Sequence, residues 1–111
     1  NKIGTYLKAL AARDNNIPFY VALPSSTIDW NLERGSDIEI EIRSSEEITA
    51  ITGLTKNGTM ESVSLAPAHV RTANYSFDVT PARLVSGLIT ERGITGADEP
   101  AIADMFSDKV G

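Results

Sequence analysis

The stretch Ile17-Pro18-Phe19-Tyr20-Val21-Ala22-Leu23 is a continuous apolar run bounded by turn-forming residues. Such a short run is typical of a strand that is covered on both faces, as in a parallel sheet. Pro18 fits the strand only at its start, where its missing N–H does least harm. The polar stretch Pro24-Ser25-Ser26-Thr27 follows at once, and open α/β sheets bind ligands beyond the carboxyl ends of their strands. The sequence therefore predicts a buried strand over residues 17 to 23 with a candidate ligand loop behind it.

A helix is predicted just before this strand, over residues 3 to 13. Its apolar residues recur at the spacing of one helix face, and the polar turn Asp14-Asn15-Asn16 ends it. The members of the apolar face are Ile3, Tyr6, Leu7, Leu10 and Ala11.

Two further strands and a tight turn are predicted downstream. Residues 37 to 43 alternate strictly between isoleucine and charged or polar residues, which indicates a half-buried strand nearer an edge of a sheet. Gly87-Leu88-Ile89-Thr90 reads as a short strand closed by Glu91-Arg92-Gly93. Between them, Asn57-Gly58 is a typical pair for a tight turn.

Three helix signals accompany these strands. Ser44 or Ser45 followed by two glutamates is a capped helix start with acidic residues in its first turn. Thr80 at the N-cap and Pro81 at the first helical position predict a helix over residues 82 to 85. Residues 101 to 106 are predicted to form a last short helix. Helices and strands alternate along the chain, so the fold class is α/β with a mostly parallel sheet.

Composition excludes several classes of function. The chain has 111 residues, with 10 Lys plus Arg against 15 Asp plus Glu and a formal net charge of −5. This balance argues against nucleic acid and against an anionic membrane as partners. The absence of cysteine excludes disulfides, zinc ribbons, iron–sulfur clusters and a cysteine nucleophile within the chain. No apolar run is long enough to span a membrane.

Asn1 and Lys2 are the strongest candidate binding residues. Lys2 stands just ahead of the first predicted helix, and a lysine next to helix N-terminal amides makes a good phosphate site. The alternative is that Lys2 is an ordinary solvated lysine.

The remaining polar candidates also have ordinary structural explanations. His69 is the sole histidine and lacks paired carboxylates, so a structural or surface role competes with catalysis. Asp78 either caps the helix that follows it or orients a loop near a ligand. Residues 25 to 27 either hydrogen-bond a ligand or form a plain turn. The acidic stretch is expected to be a solvated face, since it lacks the company of metal ligands; it comprises Glu39, Glu41, Glu46 and Glu47.

Several segments together resemble methylthioribose-1-phosphate isomerases. The stretch from Asn1 to Ala12 resembles a signature of that family, and Pro18-Phe19-Tyr20-Val21-Ala22 continues it. Ser26-Thr27-Ile28-Asp29 is the most discriminating piece, because relatives in the wider initiation factor 2B superfamily are expected to carry a different loop there. The closing signature is similar to Phe77 to Ala82 and Leu88 to Gly93. Residues 54 to 76 match loosely, with Asn74-Tyr75-Ser76 where Asn-Pro-Ala is usual.

The resemblance implies a fold and a division of the chain. The fold is a Rossmann-like, mostly parallel sheet flanked by helices, and the chain is the C-terminal portion of a larger domain. Residues 1 to 94 are expected to be the C-terminal part of an isomerase catalytic domain. Residues 95 to 111 carry no recognisable motif of the family and are expected to be a C-terminal tail.

The resemblance also implies an activity, the isomerisation of 5-methylthioribose 1-phosphate to 5-methylthioribulose 1-phosphate in methionine salvage. Asn1 and Lys2 then bind the substrate, at its phosphate. The catalytic Cys and Asp of the family are expected upstream of this chain, so no catalytic residue lies within it. Neither a metal nor an organic cofactor is implied. The phosphate blocks the anomeric carbon, which leaves two schemes open: proton transfer through an enolate-like intermediate and a direct hydride shift.

The implied partners are a small sugar phosphate, a second copy in a homodimer, and the N-terminal part of the same polypeptide, which a nick would leave as a separate chain. We expect residues 1 to 111 to be unstable without that part. The implied location is the cytoplasm, with the nucleus as a second one in a eukaryote. Two alternatives stay open: a regulatory subunit of the translation initiation factor 2B type, and a ribose-1,5-bisphosphate isomerase. The upstream sequence separates them, since an isomerase must supply the Cys and the Asp.

Overall fold

The computed structural model describes residues 1 to 109, which fall into two compact units. The first unit combines residues 1 to 39 with the chain from residue 78 onward, and the second comprises Ile40–Phe77. The helices of the first unit are α1 (Thr5–Asp14) and α3 (Glu99–Met105), and its strands are β1 (Tyr20–Ala22), β4 (Gly87–Thr90) and β5 (Gly93–Thr95). The second unit contains α2 (Glu46–Thr49), β2 (Ala50–Leu54) and β3 (Met60–Ser64).

A three-stranded sheet in the order β1-β4-β5 organises the first unit. Strands β1 and β4 are parallel, with Tyr20 opposite Gly87 and Ala22 opposite Ile89, whereas β4 and β5 are antiparallel. The α/β class predicted from the sequence is confirmed. Among residues 1 to 109, β1 and β4 are the one parallel pair. Strand β1 lies at the edge of the sheet and Tyr20 is half exposed, so the predicted burial on both faces is wrong for this strand.

Helix α1 begins two residues later than predicted, because Asn1 to Ile3 precede the helical turn and Gly4 forms its N-cap. Gly4 has φ +96°, in the left-handed region that favours glycine. The helix ends at Asp14, as Asn15 N donates to Ala11 O and Asn16 adopts φ +56°. Ala9 is fully buried on the inner face of the helix.

The closing helix α3 packs through one aromatic side chain. Phe106, directly after the helix, is fully buried, and its ring meets the edge of Trp30 at a centroid distance of 5.8 Å. Asp98 caps the helix by accepting from Ala101 N at 3.0 Å. The short helix predicted over residues 101 to 106 is therefore confirmed, although it begins two residues earlier, at Glu99. The strand predicted over residues 87 to 90 is confirmed as β4.

An antiparallel hairpin forms most of the second unit. Strands β2 and β3 pair from Ala50 with Ser64 to Leu54 with Met60. Gly58 has φ +79° in the connection, and its N–H donates to Thr55 O, so the turn predicted at Asn57-Gly58 is confirmed. The helix start predicted at Ser45 is also confirmed, although α2 has only a single turn.

Two predicted elements are wrong. Residues 37 to 43 do not form a strand: their only ladder contact is a single antiparallel bridge between Ile42 and Tyr75, since no second strand lies beside the rest. Residues 82 to 85 do not form an α-helix either. A short 3-10 turn (Ala82–Leu84) follows Pro81, which is itself extended at ψ 136°, and the chain then enters β4. No helix among residues 1 to 109 is long and apolar enough to cross a membrane.

Candidate functional site

The backbone of Asn1 is tied to a segment nearly eighty residues away in the sequence. Asp78 N donates to Asn1 O at 2.9 Å, and the amino nitrogen of Asn1 donates to Asp78 O at 3.3 Å. The side chain of Asn1 is also held, because its Nδ2 donates to Thr80 Oγ1 at 2.9 Å. The structure therefore brings Asn1 together with residues 78 to 80 of the same unit.

The carboxylate of Asp78 occupies the N-terminal end of α1. Its Oδ2 accepts from Gly4 N at 2.8 Å and from Tyr6 N at 3.1 Å. Its Oδ1 is buried and has no hydrogen-bond partner among the described residues. A carboxylate at this place complements the positive end of the helix dipole. Of the two roles predicted for Asp78, capping is the one observed, but the helix that it caps is α1 and not the one following it.

This arrangement changes how an anion could bind near Lys2. The sequence suggested that helix amides and Lys2 would share a phosphate, but the Gly4 and Tyr6 amides are already engaged by Asp78. Thr5 N donates to Lys2 O at 3.1 Å. The Gly4 and Tyr6 amides are therefore not available to an anion at this end of the chain.

The side chain of Lys2 is exposed while its backbone is fixed. Its carbonyl accepts from both the N–H and the hydroxyl of Thr5, the latter at 2.7 Å. Within residues 1 to 109, the Lys2 ammonium has no hydrogen bond or ion pair. A lysine held at its backbone with an uncommitted ammonium is suited to a phosphate, to which it presents a point charge.

The loop after β1 lies where the sequence predicted it, at the carboxyl edge of the parallel strand pair. Leu23 N still bonds to Ile89 O, and Ser25–Thr27 then form a 3-10 turn. Ser25 N donates to Glu91 Oε2 at 2.9 Å. Interaction with Ser25 lowers the pKa of Glu91, chiefly through the Ser25 side chain and to a lesser extent through the Ser25 backbone N–H. Sequence reasoning missed Glu91, although its place directly after β4 was the available signal.

A second contact fixes the far end of this loop. Trp30 rests against Phe106, and the Arg92 guanidinium lies 4.6 Å from the centroid of the same ring. Arg92 also forms a two-point pair with Asp108, one arm of which measures 2.9 Å. The hydrogen bond from Arg92 lowers the pKa of Asp108 to about 2. Glu91 thus holds one end of the loop from Ser25 to Trp30 directly, and Arg92 contacts the ring of Phe106 that packs against the other end.

The other candidates remain outside these clusters. His69 lies in the second unit with φ +69° and lines a concavity of about 270 Å³ together with small polar and small apolar residues. Glu41 and Glu47 form exposed ion pairs with Arg43, as expected of a solvated face. No group of His, Cys, Asp or Glu in the described part of the chain could hold a metal ion. No described hydrogen bond joins Asn1 or Lys2 to the Ser25 loop.

The model of the initiation factor 2 subunit family matches residues 1–97. The chain belongs to this family. Among its curated relatives, the methylthioribose-1-phosphate isomerase of Acidiphilium cryptum is 63% identical over 110 residues, and that of Desulfosudis oleivorans is 57% identical over 110 residues. Each alignment covers 98% of this chain and 30% of the relative.

Two solved structures of family members resemble this one. The 5-methylthioribose 1-phosphate isomerase of Pyrococcus horikoshii OT3 has a TM-score of 0.79 and 40% identity, over 98% of this chain and 28% of that one. The translation initiation factor eIF-2B subunit delta of A. fulgidus has a TM-score of 0.76 and 36% identity, over 96% and 29%. The chain spans about 30% of the length of the curated relatives it matches.

Proposed function

We propose that this chain is part of an aldose–ketose isomerase that converts 5-methylthioribose 1-phosphate to 5-methylthioribulose 1-phosphate in methionine salvage. The observation that carries the proposal is 63% identity, over nearly the whole chain, to a relative named for this activity. The similarity to an initiation factor subunit is weaker in sequence, at 36% identity.

In this proposal Asn1 and Lys2 bind the phosphate of the substrate. The uncommitted ammonium of Lys2 and the fixed backbone beneath it support the assignment. Asn1 Nδ2 carries two hydrogens and gives one to Thr80, so its second remains for a phosphate oxygen. The catalytic Cys and Asp would come from the preceding part of the polypeptide, and the role of this chain is to hold the substrate, without a metal or an organic cofactor.

The partner that completes the protein is proposed to be this preceding part, in one polypeptide or as a separate chain. Apolar side chains of the first unit support it: Leu7 is 70% exposed, Ile17 60% and Tyr20 50%. Contiguous apolar surface usually marks an interaction site, and these side chains would contribute to such a surface. A homodimer and a cytoplasmic location, or a nuclear one in a eukaryote, belong to the same proposal. So does the division into a catalytic part up to residue 94 and a tail from 95 to 111.

Substrate turnover by the complete polypeptide tests the proposal. Replacing Lys2 by Ala removes one charge-assisted contact with the phosphate, and such contacts contribute about 1.5–3 kcal/mol. We expect KM for the sugar phosphate to rise by about 10- to 100-fold. Lys8→Ala removes an equally exposed lysine of α1 and is the matched control, expected to leave KM unchanged. Equal kinetics for both variants would contradict the role of Lys2.

A regulatory subunit of the initiation factor 2B type is the second candidate, favoured by the TM-score of 0.76 to the A. fulgidus subunit. The two candidates differ in one measurement. A regulatory subunit gives no turnover of methylthioribose 1-phosphate at any enzyme concentration, whereas the isomerase does. If turnover is seen with ribose 1,5-bisphosphate instead, the protein is a ribose-1,5-bisphosphate isomerase and not a methylthioribose-1-phosphate isomerase.

A further inference from the structure

We propose that Asp78 and Thr80 are positioning residues for the substrate: Asp78 sets the place of Lys2, and Thr80 sets the direction of the Asn1 amide. This inference rests on the proposed binding role of Asn1 and Lys2, and it extends that role to the segment from Asp78 to Thr80.

The hydrogen bonds around Lys2 converge on Asp78. Asp78 fixes the residue before Lys2 through its backbone, by way of the two bonds to Asn1. It fixes the chain after Lys2 through its carboxylate, which accepts from Gly4 N and Tyr6 N. Lys2 itself bonds locally to Thr5 and is also a β-bridge residue. The long-range position of the Lys2 backbone is therefore set on both sides by this aspartate.

Gly4 makes this external support necessary. Glycine adopts φ +96° without strain, but it also adopts many other conformations, so the turn between Lys2 and α1 depends on hydrogen bonds to hold it. Thr5 bonds to Lys2 O across the turn, and the Asp78 carboxylate adds a long-range bond to the amide of Gly4 itself. Removing the carboxylate leaves the turn with its local bonds alone, and a lysine on a more mobile backbone loses more entropy when it binds phosphate.

The negative charge of Asp78 is compatible with a phosphate nearby. Its Oδ2 is engaged by two amides at the positive end of α1, and its Oδ1 is shielded from solvent. The carboxylate thus interacts with the helix, and Lys2 remains the cation available to a ligand. Thr80 acts in the same way on Asn1, the residue next to Lys2. Its hydroxyl accepts one of the two hydrogens of the Asn1 side-chain amide, which fixes the direction in which the second hydrogen points.

The experiment is a double-mutant cycle in the complete polypeptide, with kcat and KM measured separately. Asp78→Ala should raise KM about 10-fold or more, and it should have much less effect when Lys2→Ala is already present, since residues that act through one another are non-additive. Thr80→Val, which keeps the shape but loses the acceptor, should raise KM in the same direction. Thr80→Ser keeps the acceptor and should restore KM.

Purely structural roles give a different pattern. If the role is purely structural, Asp78→Ala lowers the melting temperature and the active fraction but leaves KM unchanged. The effects of Asp78→Ala and Lys2→Ala on the kinetics are then independent, so that they multiply in the double variant. That result overturns the inference. Asp78→Asn provides a gentler variant if the alanine protein does not fold. Its oxygen can still accept from both amides, so KM should fall between the wild-type and alanine values.

A readout without the sugar separates this inference from the proposed function. Inorganic phosphate should slow the acetylation of Lys2, measured by mass spectrometry of its peptide, in the wild type and less in Asp78→Ala. If the wild type turns over no sugar phosphate but shows this difference, the proposed activity fails and the positioning role stands. If phosphate protects Lys2 equally in both proteins, or in neither, the positioning role fails.

Discussion

Replacing Phe106 by Ala tests how the last helix and the loop at the sheet edge hold each other. Phe106 is the largest fully buried side chain among the described residues, and it touches Trp30 and Arg92. The substitution removes the ring that joins α3 to the loop from Ser25 to Trp30. We therefore expect both segments to open more often, while the hairpin of the second unit is unaffected.

The magnitude follows from the burial of the ring. A buried Phe removes about 150–250 Å² from water, which at about 25 cal/mol per Å² corresponds to roughly 4–6 kcal/mol as an upper estimate. Measured Phe-to-Ala losses of about 3–5 kcal/mol agree with this value. At about 1.4 kcal/mol per tenfold change, local opening should increase by roughly three orders of magnitude or reach its unprotected limit. Phe106→Leu keeps most of the apolar volume and should cost about 1–1.5 kcal/mol.

Amide hydrogen exchange of the complete polypeptide, resolved by peptide, measures this opening directly. In Phe106→Ala, peptides from α3 and from the Ser25 loop should lose most of their protection against exchange. In Phe106→Leu, the protection of the same peptides should fall about tenfold. Phe77→Ala, at a half-exposed phenylalanine of the second unit, is the matched control and should leave α3 unchanged. Unchanged protection of α3 in Phe106→Ala would refute the reasoning, because the helix would then be held by something other than this ring.

Two further predictions concern the start of α1 and the end of α3. Gly4→Ala places a side chain at φ +96° in open space, so only backbone strain of about 1–2 kcal/mol should appear, as a lower urea midpoint; an unchanged midpoint would mean that the turn relaxes. Asp108 has a pKa of about 2 against 3.8 for the free group, so its contribution to stability is complete above pH 3.8 and is lost as the pH falls toward 2. Stability should therefore fall more steeply over this window in the wild type than in Asp108→Asn, and parallel curves would argue against the pair with Arg92.

Elements fixed by local signals were predictable from the sequence. The apolar periodicity of α1, the turn at Asn57-Gly58 and the run of β4 each depend on neighbouring residues, and the structure has all three. The prediction of a strand over residues 37 to 43 failed for a non-local reason. Alternation indicates which side chains could face a core, but a strand also needs a partner, and only Ile42 has one.

The site was less predictable than the fold, because its contacts cross long stretches of sequence. Local sequence rules predict the start of a following helix at Asp78, Thr80 and Pro81, since these residue types are common at helix N-termini. The carboxylate instead caps α1, 74 residues away from Gly4. Glu91 was missed for the same reason: its place directly after a strand was a weak signal by itself, and its partner Ser25 lies 66 residues earlier.

Capping by Asp78 has a consequence for how this site recognises a ligand. A free helix N-terminus binds many anions through several amides, since backbone groups do not distinguish one anion from another. Here the Gly4 and Tyr6 amides are already bound to an internal carboxylate, so in the proposed function the side chains of Lys2 and Asn1 bind the phosphate instead. Both side chains lie just before the glycine turn, and they provide fewer contacts than a free helix end but a more defined direction. Under that proposal, the selectivity and the affinity of the site both depend on the segment around Asp78.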